Sequence, residues 1–158
     1  NEIMTQTKVI GESVKQTNRT FVKSYVEDYA KAITENYKMN HIESMERMLE
    51  RDSESRYAAE QLNDIQNGKV NLMYFKVYTG KKYYKIVSRE FDTFRDRNEY
   101  RDGSVHAFVD KETGDVYKPA SWKAPAKHIR YTFQNTDHLK FLLNPKNVGW
   151  AGGYLYMR

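Results

Sequence analysis

The sequence predicts an α+β fold, with N-terminal helices packed on an antiparallel sheet of four or five strands. Three observations predict it. Apolar residues recur at helical spacing between residues 18 and 67. From residue 69 onward the composition turns to aromatic and β-branched residues punctuated by turns. The length of 158 residues suits one domain with one core, and 13 Tyr and 7 Phe supply apolar area that the few Leu and Ile do not. The expected organisation is a single domain over 1–158: a loose arm or short helix over 1–17, a helical part over 18–67 and a sheet-forming part over 69–158.

From Thr20, Phe21, Val22, Tyr25, Tyr29, Ala32 and Ile33 mark one face of a helix that ends near Tyr37. Asn40 with Glu43 resembles a capping box, so a second helix is expected with Ile42, Met45 and Leu49 as its stripe. "DSES" starts a third, which carries Tyr57, Ala58, Leu62 and Ile65 and stops at Asn67-Gly68. Strands are expected over 70–78 and 82–88 around "TGKK", with Gly80 at a position of positive φ. Both faces of the first strand are largely apolar, which suits a central or covered strand. Residues 89–103 are charged and read as a long connection or short helix. A second hairpin pairs 104–110 with 115–120 around "KETG", and 128–133 alternates as a fifth strand candidate. "TDHLKFLL" is a short helix capped by Thr136 or Asp137 and stopped by Pro145. The ending, "GWAGGYLYMR", reads as a Gly-rich loop and a short aromatic strand.

The chain contains no Cys, which excludes disulfides, thiolate metal sites and Cys nucleophiles. The four His, at 41, 106, 128 and 138, sit in no metal-binding spacing, and no acidic cluster stands at ligand spacing. No phosphate loop, dinucleotide fingerprint or nucleophile elbow is present. No catalytic residue, metal or cofactor is therefore expected. No apolar run approaches the ~20 residues of a membrane helix, so no membrane partner is expected.

The net charge of +5 is unevenly spread. Residues 1–68 sum to −3, and residues 69–158 to +8. A basic half suggests an anionic partner, although the same charge also suits an ordinary solvated surface.

Within the basic half, "VYKPASWKAPAK" combines two Pro, one Trp and three Lys. Proline and the residue before it resist helix, so the segment is expected to be a semi-rigid strap. Lys118, Lys123, Lys127 and Arg130 are spaced along it around Trp122. Cations interleaved with a flat aromatic can track a nucleic-acid backbone while stacking a base. The same composition also makes a structural clasp with Trp122 in the core, or a protein interface.

Asp102–Lys127 resembles a motif of small uncharacterised proteins of tailed bacteriophages. In that motif a V-H-x-F-V hairpin and a T-G-D turn lead into K-x-A-x-W-K-x-P-A-K. Val105, His106, Phe108, Val109, Thr113, Gly114 and Asp115 match it, followed by Lys118, Ala120, Trp122, Lys123, Pro125, Ala126 and Lys127. The resemblance covers the last third of the chain. It implies a viral setting, in the host cytoplasm or the virion, and carries no established activity. The expected function is that of a non-enzymatic phage protein that contacts nucleic acid through Lys118, Trp122, Lys123, Lys127 and Arg130. The alternative is a virion-associated or host-protein-binding protein, such as an inhibitor.

Overall fold

The computed structural model describes residues 2–156, with side chains from Gly11 onward apart from Glu12. Among the described residues, three helices and five strands form an α+β fold. They are α1 (Glu2–Arg51), α2 (Arg56–Gln66), β1 (Tyr74–Thr79), β2 (Tyr83–Asp92), β3 (Glu99–Asp110), β4 (Asp115–Tyr117), β5 (Tyr131–Thr132) and α3 (Thr136–Leu142). The strands lie in the order β1-β2-β3-β4-β5, and every neighbouring pair is antiparallel.

The predicted loose arm and the first two predicted helices are one helix. Residues 2–17 continue directly into the rest of α1; Asn1 lies outside the described residues. Asn40 is not a cap. Its amide turns back to donate to the Asn36 carbonyl at 2.8 Å, the i−4 bond open to a short polar side chain inside a helix. The break falls later, at residues 52–55. There Ser55 caps α2 by accepting from Ala58 N. Asn67 and the left-handed Gly68 (φ +67°) follow α2, as the sequence predicts.

The core lies between α1 and one face of the sheet. Val22, Val26, Tyr29, Ala30 and Ile33 of α1 meet Phe75, Tyr84, Ile86, Ala107, Val109 and Val116. Phe133, Leu142, Val148 and Leu155 complete the cluster from the C-terminal segment. β1 is an edge strand covered by α1, the second of the two placements expected for it. Its Phe75 N–H donates to the Thr34 hydroxyl of α1 at 2.9 Å, which satisfies a group that a bare edge would leave open. The middle of β2 and the last part of β3 are buried on both faces.

Residues 89–103 are mostly strand rather than a connection. β2 and β3 extend through Glu90↔Arg101, Phe91↔Tyr100 and Asp92↔Glu99. A short 3₁₀ turn at Phe94–Asp96 joins them, and Arg95, Asp96 and Asn98 adopt positive φ. The polar pattern misleads here because the ribbon projects beyond its neighbouring strands and has little to bury.

Turn chemistry is partly as expected. Gly114 sits at φ +77°, where a Cβ would lie 2.9 Å from the Phe133 Cβ. Gly80 lies outside the left-handed region. It is required for space instead, since a Cβ would stand 3.0 Å from the Tyr83 carbonyl. Asn135 caps α3, one residue ahead of the predicted cap, by accepting from Asp137 N and His138 N. The C-terminal stretch forms a 3₁₀ turn at Gly153–Leu155 rather than a strand; Met157 and Arg158 lie outside the described residues.

Three polar contacts fasten this segment to α1. The Asn36 amide donates to the Pro145 carbonyl at 2.7 Å, and its Oδ1 accepts from Trp150 N at 2.9 Å. The Tyr154 hydroxyl lies 2.6 Å from the Tyr29 hydroxyl and 2.8 Å from His106 Nε2.

Candidate functional site

The alternation of β1 and β2 decides which side chains leave the core. Val77↔Ile86 and Thr79↔Tyr84 face α1, so Tyr78, Tyr83 and Lys85 point the other way. These side chains form a second face of the sheet, away from α1. Its floor is Val87 at 0% exposure and Phe108 at 2%, both outside the main core cluster. Tyr83 meets Phe108 edge-on at 5.8 Å. The Lys85 ammonium lies 5.8 Å from the Phe108 ring centroid.

The strap folds into a closed loop beside this floor. Pro119 and Pro125 bridge, Ala126 N donates to the Lys118 carbonyl at 2.7 Å, and Ala120 N donates to the Ala124 carbonyl at 3.0 Å. At the tip, the Ser121 hydroxyl accepts from Lys123 N and Ala124 N. The prolines supply the extended geometry that such a narrow loop needs. Trp122 stands at the tip, 43% exposed, so it does not enter the core. The Lys85 ammonium sits 4.5 Å from the centre of its ring, a cation–π contact.

Between the loop and the β1–β2 turn lies a groove of about 520 Å³. Lys81, Lys82, Lys85 and Lys123 line it, and Asp102 is the one acidic residue among its lining. Asp102 Oδ1 accepts from the Tyr78 hydroxyl at 2.6 Å and from Arg89 Nη1 at 2.7 Å. The two bonds hold the Asp102 carboxyl below its ordinary value, and the first of them holds the Tyr78 hydroxyl above its own. The one carboxylate is thus already matched by a guanidinium, and the four ammonium groups set the field of the groove.

A model of a family of unknown function, DUF7717, matches residues 8–157. The chain belongs to this family. No curated protein and no solved structure matches it.

In this DUF7717 chain the five predicted site residues do not converge. Trp122 and Lys123 line the groove. Lys118 lies elsewhere, half-buried, with its ammonium 4.1 Å over the Tyr156 ring. Lys127 is exposed on the return arm of the loop and does not line the groove. Arg130 holds structure together: Nε donates to the Leu155 carbonyl and Nη1 to the His128 carbonyl, both at 2.7 Å. Sequence reasoning missed Lys81, Lys82, Lys85, Tyr83 and Phe108. The signal was available in the two-residue period of "KKYYKIV", which puts Tyr83 and Lys85 on one face.

A second cavity, of about 360 Å³, opens on the other side of β3 between Phe75, Glu90, His106, Lys118 and Trp150. His106 is buried, and burial lowers its pKa from 6.5 to about 4, partly offset by a hydrogen bond to the Trp150 backbone. Nε2 is bonded to the Tyr154 hydroxyl, so the imidazole has a structural part here. Among the described residues, no helix is long and apolar enough to cross a membrane, and no group of three or more His, Asp or Glu is placed to hold a metal ion.

Proposed function

We propose that this chain is a non-enzymatic binding protein that contacts nucleic acid through the groove beneath Trp122. The viral setting belongs to the same proposal and rests on the likeness of Asp102–Lys127 to the phage motif. One observation carries the reading: an exposed indole is held at a loop tip over a groove with four lysines and one carboxylate that is already matched. An anionic chain carrying flat rings is the ligand that uses both features.

Titration of DNA and RNA oligonucleotides at two salt concentrations tests this. Four lysines meeting four phosphates of a single strand give a slope of log affinity on log salt of about −3. Lys123→Ala should reduce that slope by roughly one, and Lys127→Ala should leave it nearly unchanged. Absence of binding at low salt would overturn the proposal.

A second reading, a protein-binding role in the virion or against a host protein, has its own support. Phe94 is 62% exposed at the tip of the β2–β3 ribbon, with the Arg95 and Arg97 guanidinium groups 5.1 and 5.8 Å from its ring. An aromatic anchor flanked by arginines suits a protein interface. Phe94→Ala separates the readings, because it should leave nucleic-acid affinity untouched.

A further inference from the structure

Trp122 belongs to two clefts. Besides the groove described above, a second cleft of about 300 Å³ lies between the loop and the middle of β3, and the indole is the wall common to both. The second cleft exists because β4 is short. β4 pairs only with Phe108 and Val109, whereas β3 runs back to Glu99. The stretch Gly103–Val105 is therefore left without a strand partner on that side, and Pro119, Ala120 and Ser121 face it across the gap.

The two clefts differ in chemistry. The larger has four lysines; the smaller has no charged residue among its lining. Lys85 lines the larger cleft and rests against the indole. One side of Trp122 thus offers a cation, and the other offers an uncharged slot with an aromatic wall.

We infer that the ligand is a single strand, and that one of its bases leaves the stack to enter the slot against Trp122 while the adjoining phosphates meet Lys85 and Lys123. This rests on the proposed nucleic-acid reading and deepens it. A base is flat and uncharged, which matches the uncharged lining beside Trp122, whereas a phosphate has no cation there to meet. A base in a duplex is paired and stacked, so it can enter a slot of this kind only after leaving the helix. A single strand has no pairing to break and binds at lower cost.

Fluorescence titrations with a single-stranded oligonucleotide, its duplex, and the same single strand with one abasic site test this at low salt. The parent protein should bind the single strand at least tenfold more tightly than the duplex. Trp122→Ala should lower single-strand affinity about tenfold or more, with the salt slope and the duplex affinity unchanged. Trp122→Phe should recover most of the loss. An abasic site at the responsive position should weaken the parent protein and have little further effect on Trp122→Ala. Thermal melts of both variants should match the parent, since the side chain lies outside the core. Equal affinity for duplex and single strand, or a loss on Trp122→Ala that is the same for both, overturns the single-strand inference and leaves nucleic-acid binding standing. No binding of either ligand overturns the proposed function itself.

Discussion

His106 should make the fold sensitive to mild acid, and the size of the effect follows from its surroundings. The ring is packed between Phe75, 5.2 Å away edge-on, and Tyr154. Burial lowers its pKa from 6.5 to about 4. A folded-state value below the unfolded one means that the unfolded chain binds the proton more readily. The stability due to neutral His106 is therefore present above pH 6.5, falls as the pH drops through 6.5 toward 4, and is fully lost below both. A displacement of that size corresponds to about 3 kcal/mol in total, of which about 2 kcal/mol is lost between pH 7 and pH 5. Geometry explains the cost. A protonated ring would carry its charge among the Phe75 and Tyr154 rings, with the Tyr154 hydroxyl as the side-chain partner of Nε2. Denaturant melts of the parent and of His106→Gln at pH 7 and pH 5 measure this. The parent should lose about 2 kcal/mol more than the variant, and the His106 ring signal should titrate near pH 4. Equal losses, or a ring that titrates at 6.5 or above, would refute the reasoning.

Other expectations follow from contacts already described. Asn36→Ala should cost about 2–4 kcal/mol in denaturant melts, because the Pro145 carbonyl and the Trp150 N–H both lose a buried partner; a loss under about 0.5 kcal/mol would contradict the pinning role. Gly114→Ala should cost about 2–3 kcal/mol, since it combines a left-handed φ with a collision at Phe133; an unchanged melting temperature would count against the turn as described. Phe75→Ala should cost about 3–5 kcal/mol, and Tyr74→Ala clearly less, because Phe75 faces the core while half-buried Tyr74 leans on Tyr100 at 5.0 Å. Arg130→Ala should lower stability with no change in the salt dependence of binding, the reverse of Lys123→Ala.

The α+β class was legible in the sequence because the change from a helical period to β-rich composition at Gly68 is sharp. The α2 helix was legible for the same reason: Ser55 and Gly68 are local signals that act where they stand. The unity of α1 was not. Asn40 and Glu43 carry a capping signature, and only the packing of Met45 and the neighbouring α2 shows that the helix runs on through them. β1 was legible as a covered strand but not as an edge, because its two apolar faces do different work. Phe75 and Val77 face α1, whereas Tyr74 and Tyr78 face other tyrosines and Arg89. The candidate site was half legible. Trp122 and Lys123 stood out by local composition, but Lys85 and Phe108 join them only through the β2–β3 register, Lys85↔Phe108, which no local pattern reveals. Arg130 looked like a ligand-facing cation, and its carbonyl partner Leu155 lies 25 residues away.

The pins between α1 and the C-terminal segment also bear on how the molecule comes into being. Tyr29 meets Tyr154 across 125 positions of sequence, and Asn36 meets Pro145 across 109. On a ribosome, α1 emerges early as a long helix whose apolar stripe has no permanent cover. The sheet can close against it, but the buried Tyr29 hydroxyl and the Asn36 amide wait for residues 145–155. Loop closure over such spans is slow compared with local structure. Nascent chains that end before residue 145 should therefore remain sensitive to protease and dependent on chaperones. The native state should lock only when the 3₁₀ turn at Gly153–Leu155 docks, which makes these long-range contacts the step that commits the fold.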